Sequence, residues 1–263
     1  MLRILVTRPH PHGESLCHLL IKHGMLAFHC PTIAFAPPQH LSALMQQLPC
    51  IAQQDWLIFN SPQAVLSLFP LMAKQGICLP KTVRLAAIGP GTVKSLQQFV
   101  ASTTHSPLVV PDTEWHSGGI LALPHFQTAS IRNKRVMLVC GEKGRTQLAS
   151  TLQARGAQVT LLSVYRRIVP AISITPFIHL LITNAIDIIV ATSGTGVQQL
   201  KTLFQTIWPC LATIPLVVIS ERIKILAKDC GFQSIWVIDP TTDMAQAITI
   251  FLSEKGKIIC QKP

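Results

Sequence analysis

Tyr165 is the single tyrosine of the chain, in Val164-Tyr165-Arg166-Arg167 at the end of an apolar run. A phenol is protonated at neutral pH, so it can donate a hydrogen bond or act as a general acid toward a departing group. The competing reading is a packed tyrosine whose hydroxyl is satisfied by backbone. Two arginines follow strand-like runs, Arg8 in Thr7-Arg8-Pro9 and Arg145 after Gly141-Glu142-Lys143-Gly144. A cation near a helix N-terminus opposes the helix dipole unless an anion meets it, which makes both arginines candidate clamps for a carboxylate or phosphate. The alternative is a solvated surface arginine. Thr7, Ser61, Thr92, Ser193 and Ser220 add hydroxyls, and Gly89 stands at a matching junction. Each hydroxyl is also a natural helix N-cap or first-turn residue, a role worth about 0.5–2 kcal/mol. As a set they say more, because all sit near strand C-termini, where open α/β sheets bind ligands.

Positioning these groups requires strand ends, and the chain supplies six. Leu5-Val6-Thr7-Arg8-Pro9, Ile58-Phe59-Asn60-Ser61-Pro62, Ala87-Ile88-Gly89-Pro90, Val139-Cys140-Gly141, Val190-Ala191-Thr192-Ser193 and Val218-Ile219-Ser220 each stop on a small or hydroxyl residue and open toward a helical stretch. Such junctions present backbone N–H groups that suit an anion. The last three repeat the first three at an offset of about 132 residues, and Val65 and Val197 keep that offset. A constant offset through separate units predicts a duplication.

Strand and helix patterns alternate throughout, which predicts an α/β fold with mainly parallel sheets. Strands are expected at 3–7, 26–29, 56–59, 84–88, 108–110, 135–140, 158–164, 187–191, 216–219 and 235–238. Three C-terminal strands make too thin a parallel sheet, and the two N-terminal ones complete it. The expected architecture is therefore two similar doubly wound parallel-sheet domains. One is discontinuous, 1–35 plus 169–263, and the other, 36–168, is inserted into it. The crossings Thr32–Pro37 and Ser163–Pro170 are expected to pair as a two-stranded connector, with the strand tips facing one cleft.

The net charge of +11 favours an anionic partner. The basic residues are dispersed and aromatics are 6%, so no stacking platform for nucleic acid is visible and none is expected as partner. No uncharged apolar run reaches the ~18–20 residues of a membrane span. The first residues do not read as a signal peptide, so the cytoplasm is expected. Eight cysteines lie scattered without a C-x-x-C pair and read as small apolar fillers. His10-Pro11-His12 has no acidic or thiol partner beside it in the sequence, so no metal is expected. The Gly141-x-x-Gly144-Arg145 turn lacks the Lys-Ser/Thr of a nucleotide-binding loop, and no G-x-S-x-G elbow occurs.

The motifs taken together resemble the uroporphyrinogen-III synthase family. The resemblance runs from Leu5-Val6-Thr7-Arg8-Pro9 and Cys30-Pro31-Thr32-Ile33 through Phe59-Asn60-Ser61-Pro62-Gln63-Ala64-Val65 and Ala87-Ile88-Gly89-Pro90-Gly91-Thr92. It continues through Gly141-Glu142-Lys143-Gly144-Arg145, Val164-Tyr165-Arg166-Arg167, Thr192-Ser193-Gly194 and Ile219-Ser220-Glu221-Arg222. It implies two α/β domains and no cofactor. The implied reaction is cyclisation of a linear tetrapyrrole octacarboxylate, hydroxymethylbilane, to uroporphyrinogen III with ring D inverted through a spiro intermediate. It implies that Tyr165 assists departure of the terminal hydroxyl and that Ser61, Thr92 and Ser193 line the cleft, with the protein expected to be a monomer. Where relatives carry a Gly-x-Thr turn, this chain has Ser220-Glu221-Arg222. The rival reading is a non-enzymatic two-lobed binding protein for a small anion.

Overall fold

The computed structural model describes residues 1–100, 108–144, 147–238 and 244–259, with backbone alone for 244 and 255–259. In chain order its strands are β1 (Arg3–Val6), β2 (Leu26–His29), β3 (Ala34–Ala36), β4 (Trp56–Phe59), β5 (Arg84–Ala87), β6 (Arg135–Gly141), β7 (Gln158–Ile168), β8 (Ile188–Val190), β9 (Leu216–Val218) and β10 (Ile235–Val237). They form two five-stranded sheets, ordered β10-β9-β8-β1-β2 and β3-β7-β6-β4-β5. The pairs β1–β2, β1–β8, β8–β9, β9–β10, β4–β5, β4–β6 and β6–β7 are all parallel. Helices join the strands, as parallel connections require. The chain falls into two compact units, Met1–Phe35 with Ile168–Pro263, and Ala36–Arg167.

Strands covered on both faces read as continuous apolar runs. In the first sheet Leu5, Ile189, Leu216 and Val218 pack into one buried cluster, while Ile4, Val6, Ile188, Val190 and Val217 pack into another. Successive residues thus serve opposite faces, the period of two expected of a strand. In the second sheet Trp56, Ile58, Ala86, Val136 and Leu138 share one cluster. Burial also pushes the thiol of Cys17 up to about 11 and that of Cys30 up to about 12, so both are uncharged fillers at neutral pH.

The 132-residue offset holds strand by strand. Arg3 and Arg135, Leu26 and Gln158, Trp56 and Ile188, and Arg84 and Leu216 open β1 and β6, β2 and β7, β4 and β8, and β5 and β9. Pairing repeats with it: Arg3 faces Leu26 as Arg135 faces Gln158, and Ile4 faces Ile188 as Val136 faces Trp56. Even an acidic anchor recurs. Asp187 Oδ2 accepts Arg3 N at 2.8 Å, and Asp55 Oδ2 accepts Arg135 N at 2.7 Å. Each sheet therefore combines the early segment of one repeat with the late segment of the other.

One expected strand is reduced. Of 108–110 only Val109 pairs, as an isolated parallel bridge to Ala86. Pro111 has no N–H with which to extend a ladder. In the opposite sense, β7 runs on to Ile168, past the expected end at 164, and β3 lies beside it. The two chain crossings therefore pair within one sheet.

Arg3 also grips Asp187 through its side chain, Nε to Oδ2 at 3.0 Å and Nη2 to Oδ1 at 2.6 Å. Burial raises the Asp187 pKa, but the hydrogen bonds and charge of Arg3 more than offset this and hold it below its ordinary 3.8. A depressed carboxylate stabilises the fold above its unfolded pKa and loses that contribution as pH falls through the folded value. Because the Arg3 side chain is 37% exposed, screening limits the effect to on the order of 1 kcal/mol. Asp187→Asn is expected to lower the urea midpoint at pH 7. The gap to the parent should close as pH falls below about 3.8, which unfolding curves across that range measure.

Candidate active site

The site is built at the C-terminal ends of β4, β6 and β7. Parallel pairing of β6 with β7 runs regularly from Arg135↔Gln158 to Cys140↔Ser163, then slips so that Gly141 faces Tyr165. The extra residue is a β-bulge, a device that re-aims a side chain. Its mark is that Val164 and Tyr165, neighbours in sequence, are both buried. The backbone closes the bulge with Glu142 N donating to Tyr165 O at 2.8 Å.

The Tyr165 ring lies against Gly141, and its hydroxyl is 3.2 Å from Ser61 Oγ, with either atom able to donate. Ser61 is placed by the helix it caps. Pro62 opens the helix Pro62–Lys74, where a missing N–H costs nothing, and Ser61 Oγ accepts from Ala64 N at 3.3 Å. Ser61 is thus both N-cap and partner of the phenol. Tyr165 is only 3% exposed, so its hydroxyl is shielded from bulk water. The Arg167 guanidinium carbon sits 5.8 Å from the ring centroid, a cation–π placement, while Arg166 Nε donates to Pro37 O at 3.1 Å. Beside Ser61, the buried Oδ1 of Asn60 has no hydrogen-bond partner among the described residues.

Gly89 caps the short helix Pro90–Leu96 at the end of β5, and Thr92, within it, is 3% exposed. The structure thus collects Ser61, Gly89, Thr92 and Tyr165 in one unit and brings Ser61 and Tyr165 into contact.

The other unit holds Thr7, Arg8, Ser193 and Ser220. Ser193 and Ser220 cap the helices Gly194–Leu203 and Glu221–Cys230, accepting from Gly196 N at 3.0 Å and Ile223 N at 3.4 Å. Thr7 departs from the expected pattern of a helix-opening hydroxyl. It is buried, and both its N and its Oγ1 donate to Val190 O, at 3.0 and 2.9 Å. Those bonds lengthen the β1–β8 ladder, and the helix His12–Lys22 starts only after Pro11, without a side-chain cap. The Val139-Cys140-Gly141 junction likewise runs through a turn, Glu142–Gly144, before the helix Gln147–Ala154. Of the six junctions, four open directly into a helix. Arg8 is half-buried, and its carbonyl oxygen lies 2.8 Å from His29 Nε2. His10 has an acidic partner after all: Glu14, one helical turn on, at 2.9 Å. Arg145 lies outside the described residues.

Sequence reasoning did not single out Gly141, Arg167 or Asn60 as site residues. Arg167 carried a visible signal, a second cation immediately after the tyrosine motif. Gly141 ended one of the six junctions, but its place against the tyrosine ring, like the orphaned oxygen of Asn60, exists only in the folded chain. The arrangement can deliver a proton: a shielded phenol has a hydroxyl neighbour that can donate or accept, and a cation lies over its ring.

The sequence model of the family described as Uroporphyrinogen-III synthase HemD matches residues 14–246. A uroporphyrinogen-III synthase of Escherichia coli (strain K12) is 33% identical over 240 residues, covering 90% of this chain and 94% of that protein. One from Salmonella typhimurium is 32% identical over the same shares of the two chains. Among solved structures, a mutant uroporphyrinogen III synthase of Thermus thermophilus superposes with a TM-score of 0.65 at 16% identity, covering 98% of this chain and 100% of that one. The Helicobacter pylori 26695 uroporphyrinogen-III synthetase gives 0.58 at 14% identity, over 97% and 100%. At these identities the superpositions establish the fold.

Proposed function

Because this chain belongs to the uroporphyrinogen-III synthase family, we propose that Tyr165 is its general acid in closing hydroxymethylbilane to uroporphyrinogen III. The chain is an enzyme of porphyrin and haem biosynthesis, a cyclising lyase acting on a tetrapyrrole. The reading of a non-enzymatic anion-binding protein is not favoured. The single observation supporting the acid role is the contact of the Tyr165 hydroxyl with Ser61 Oγ at 3.2 Å, at a strand tip with the ring shielded from water.

In this reading the phenol gives its proton to the terminal hydroxyl of the substrate. The C–O bond breaks, water leaves with the bonding pair, and an azafulvenium cation, the protonated azafulvene, remains. Attack by the last ring forms a spiro-pyrrolenine, which fragments and recloses with ring D reversed. Ser61 holds the phenol in line, and the proton released when the closed ring rearomatises restores the phenol for the next turnover. The guanidinium of Arg167 stands over the ring, 5.8 Å from its centroid. The strand tips of each unit bind carboxylates: Ser61, Gly89 and Thr92 in one, Arg8, Ser193 and Ser220 in the other, with Arg145 as a further cation; Thr7, whose N–H and hydroxyl both go to Val190 O, supports its tip instead. The net charge of +11 matches a polyanionic substrate. The enzyme works as a monomer in the cytoplasm, without a metal or organic cofactor and without nucleic acid.

Incubation with hydroxymethylbilane, oxidation and chromatographic separation of the porphyrin isomers tests the activity. Excess isomer III over the enzyme-free control supports it. Isomer I alone, the product of unaided closure, would overturn it.

A further inference from the structure

We propose that Gly141 is the residue that positions the Tyr165 phenol, by leaving empty the space the ring occupies. A Cβ built at Gly141 would lie 2.6 Å from Tyr165 Cζ, 2.7 Å from Cε2 and 3.0 Å from the hydroxyl oxygen. Real Cβ atoms do not approach heavy atoms that closely, so alanine and this ring placement exclude each other. Backbone conformation is not the reason for glycine here. The glycines in the left-handed region are Gly24, Gly76, Gly156 and Gly231, and Gly141 is not among them. The three nearest atoms all belong to the far end of one side chain rather than to backbone. An added methyl therefore displaces the phenol and leaves β6 and β7 in place, carrying the hydroxyl away from Ser61. The bulge completes the device, because it is the register slip at Cys140/Gly141 that sets residue 165 opposite residue 141.

The catalytic consequence rests on Tyr165 being the acid, whereas the positioning itself does not. With one tyrosine in the chain, 3-fluorotyrosine labelling yields a single fluorine resonance, which reports on Tyr165 alone. Gly141→Ala is expected to shift that resonance and to lower kcat ~10-fold or more with KM within ~2-fold, since small misplacements of a reacting group are costly. An unshifted resonance overturns the positioning. In a Tyr165→Phe background Gly141→Ala is expected to change kcat by less than ~2-fold, because the two residues act as one unit. A full additional loss there overturns action through Tyr165. If Gly141→Ala alone fails to fold, the same substitution in a Tyr165→Ala background separates the cases. Recovery of the thermal midpoint of Tyr165→Ala supports the clash with the ring, and persistent loss refutes it. Should Tyr165→Phe retain full kcat, the acid role falls while the fluorine shift still decides whether Gly141 places the ring.

Discussion

Tyr165→Phe is expected to lower kcat by about 10²-fold while leaving KM within ~2-fold, the signature of a lost proton donor. The substitution keeps the ring that fills the space against Gly141 and removes only the hydroxyl that meets Ser61. Ser61 retains its bond from Ala64 N, so the helix cap persists and the stability cost stays near ~1 kcal/mol. Steady-state assays with hydroxymethylbilane, scored by isomer, check this. As the catalysed route slows, unaided closure competes, and the share of isomer I should rise with the loss in kcat. An unchanged kcat removes Tyr165 from the acid role, and a raised KM at constant kcat makes it a binding group.

Gly13→Ala is expected to destabilise the protein by about 2 kcal/mol, although helix propensity argues for the opposite sign. Gly13 lies in the first turn of the helix His12–Lys22, where alanine would gain up to about 1 kcal/mol over glycine. Sterics oppose this. A Cβ there would stand 2.1 Å from His29 Nε2 and 2.4 Å from Arg8 O. The second of these is backbone, in the segment that follows β1, and cannot swing aside as a side-chain tip can. The first belongs to the His29 ring that holds Arg8 O at 2.8 Å. His29 is itself fixed at the end of β2, opposite Val6. Overpacking of ~1–3 kcal/mol together with a broken hydrogen bond exceeds the propensity gain. Urea unfolding measures the sum, and a variant as stable as the parent or more so would show that the β1 tip yields. A shifted Arg8 should also raise KM for the octacarboxylate, because that tip binds it in the proposed mechanism.

The two glycine predictions differ in kind for one reason. At Gly13 the obstructing atoms include main chain, so the expected loss is stability. At Gly141 they are a side-chain tip, so the expected loss is geometry at the site. Neither distinction is readable from a glycine in a sequence, since both need the distance from the glycine to particular atoms in the folded chain.

Fold class and strand placement, by contrast, were legible. Runs such as Leu57-Ile58-Phe59 and Ile188-Ile189-Val190 are apolar because both faces of a parallel strand are covered, and that demand is written in consecutive residues. The 132-residue offset was equally open to reading, since it is a relation between positions alone. It carried the conclusion that β1 and β2 complete the C-terminal sheet, and the sheet order agrees. Where a strand depends on what lies around it, the reading weakened: residues 108–110 contribute one bridge, and β7 outlasts its apolar stretch because β3 pairs beside it.

The candidate site divides along the same line. Ser61, Ser193 and Ser220 were recognisable because an N-cap is a local event within four residues, and each caps its helix. Thr7 looked identical in sequence, yet its hydroxyl bonds to Val190, 183 residues away. By itself the sequence determined an α/β chain of repeated strand tips, a net charge of +11 and a lone tyrosine beside two arginines, because composition, period and spacing are properties of the chain. Only the tertiary structure decided that the tyrosine meets Ser61 across 104 residues, that a bulge turns it inward and that Gly141 leaves room for it. Those are relations between strands, and strand register is set by packing whole faces together rather than by any residue's neighbours in sequence.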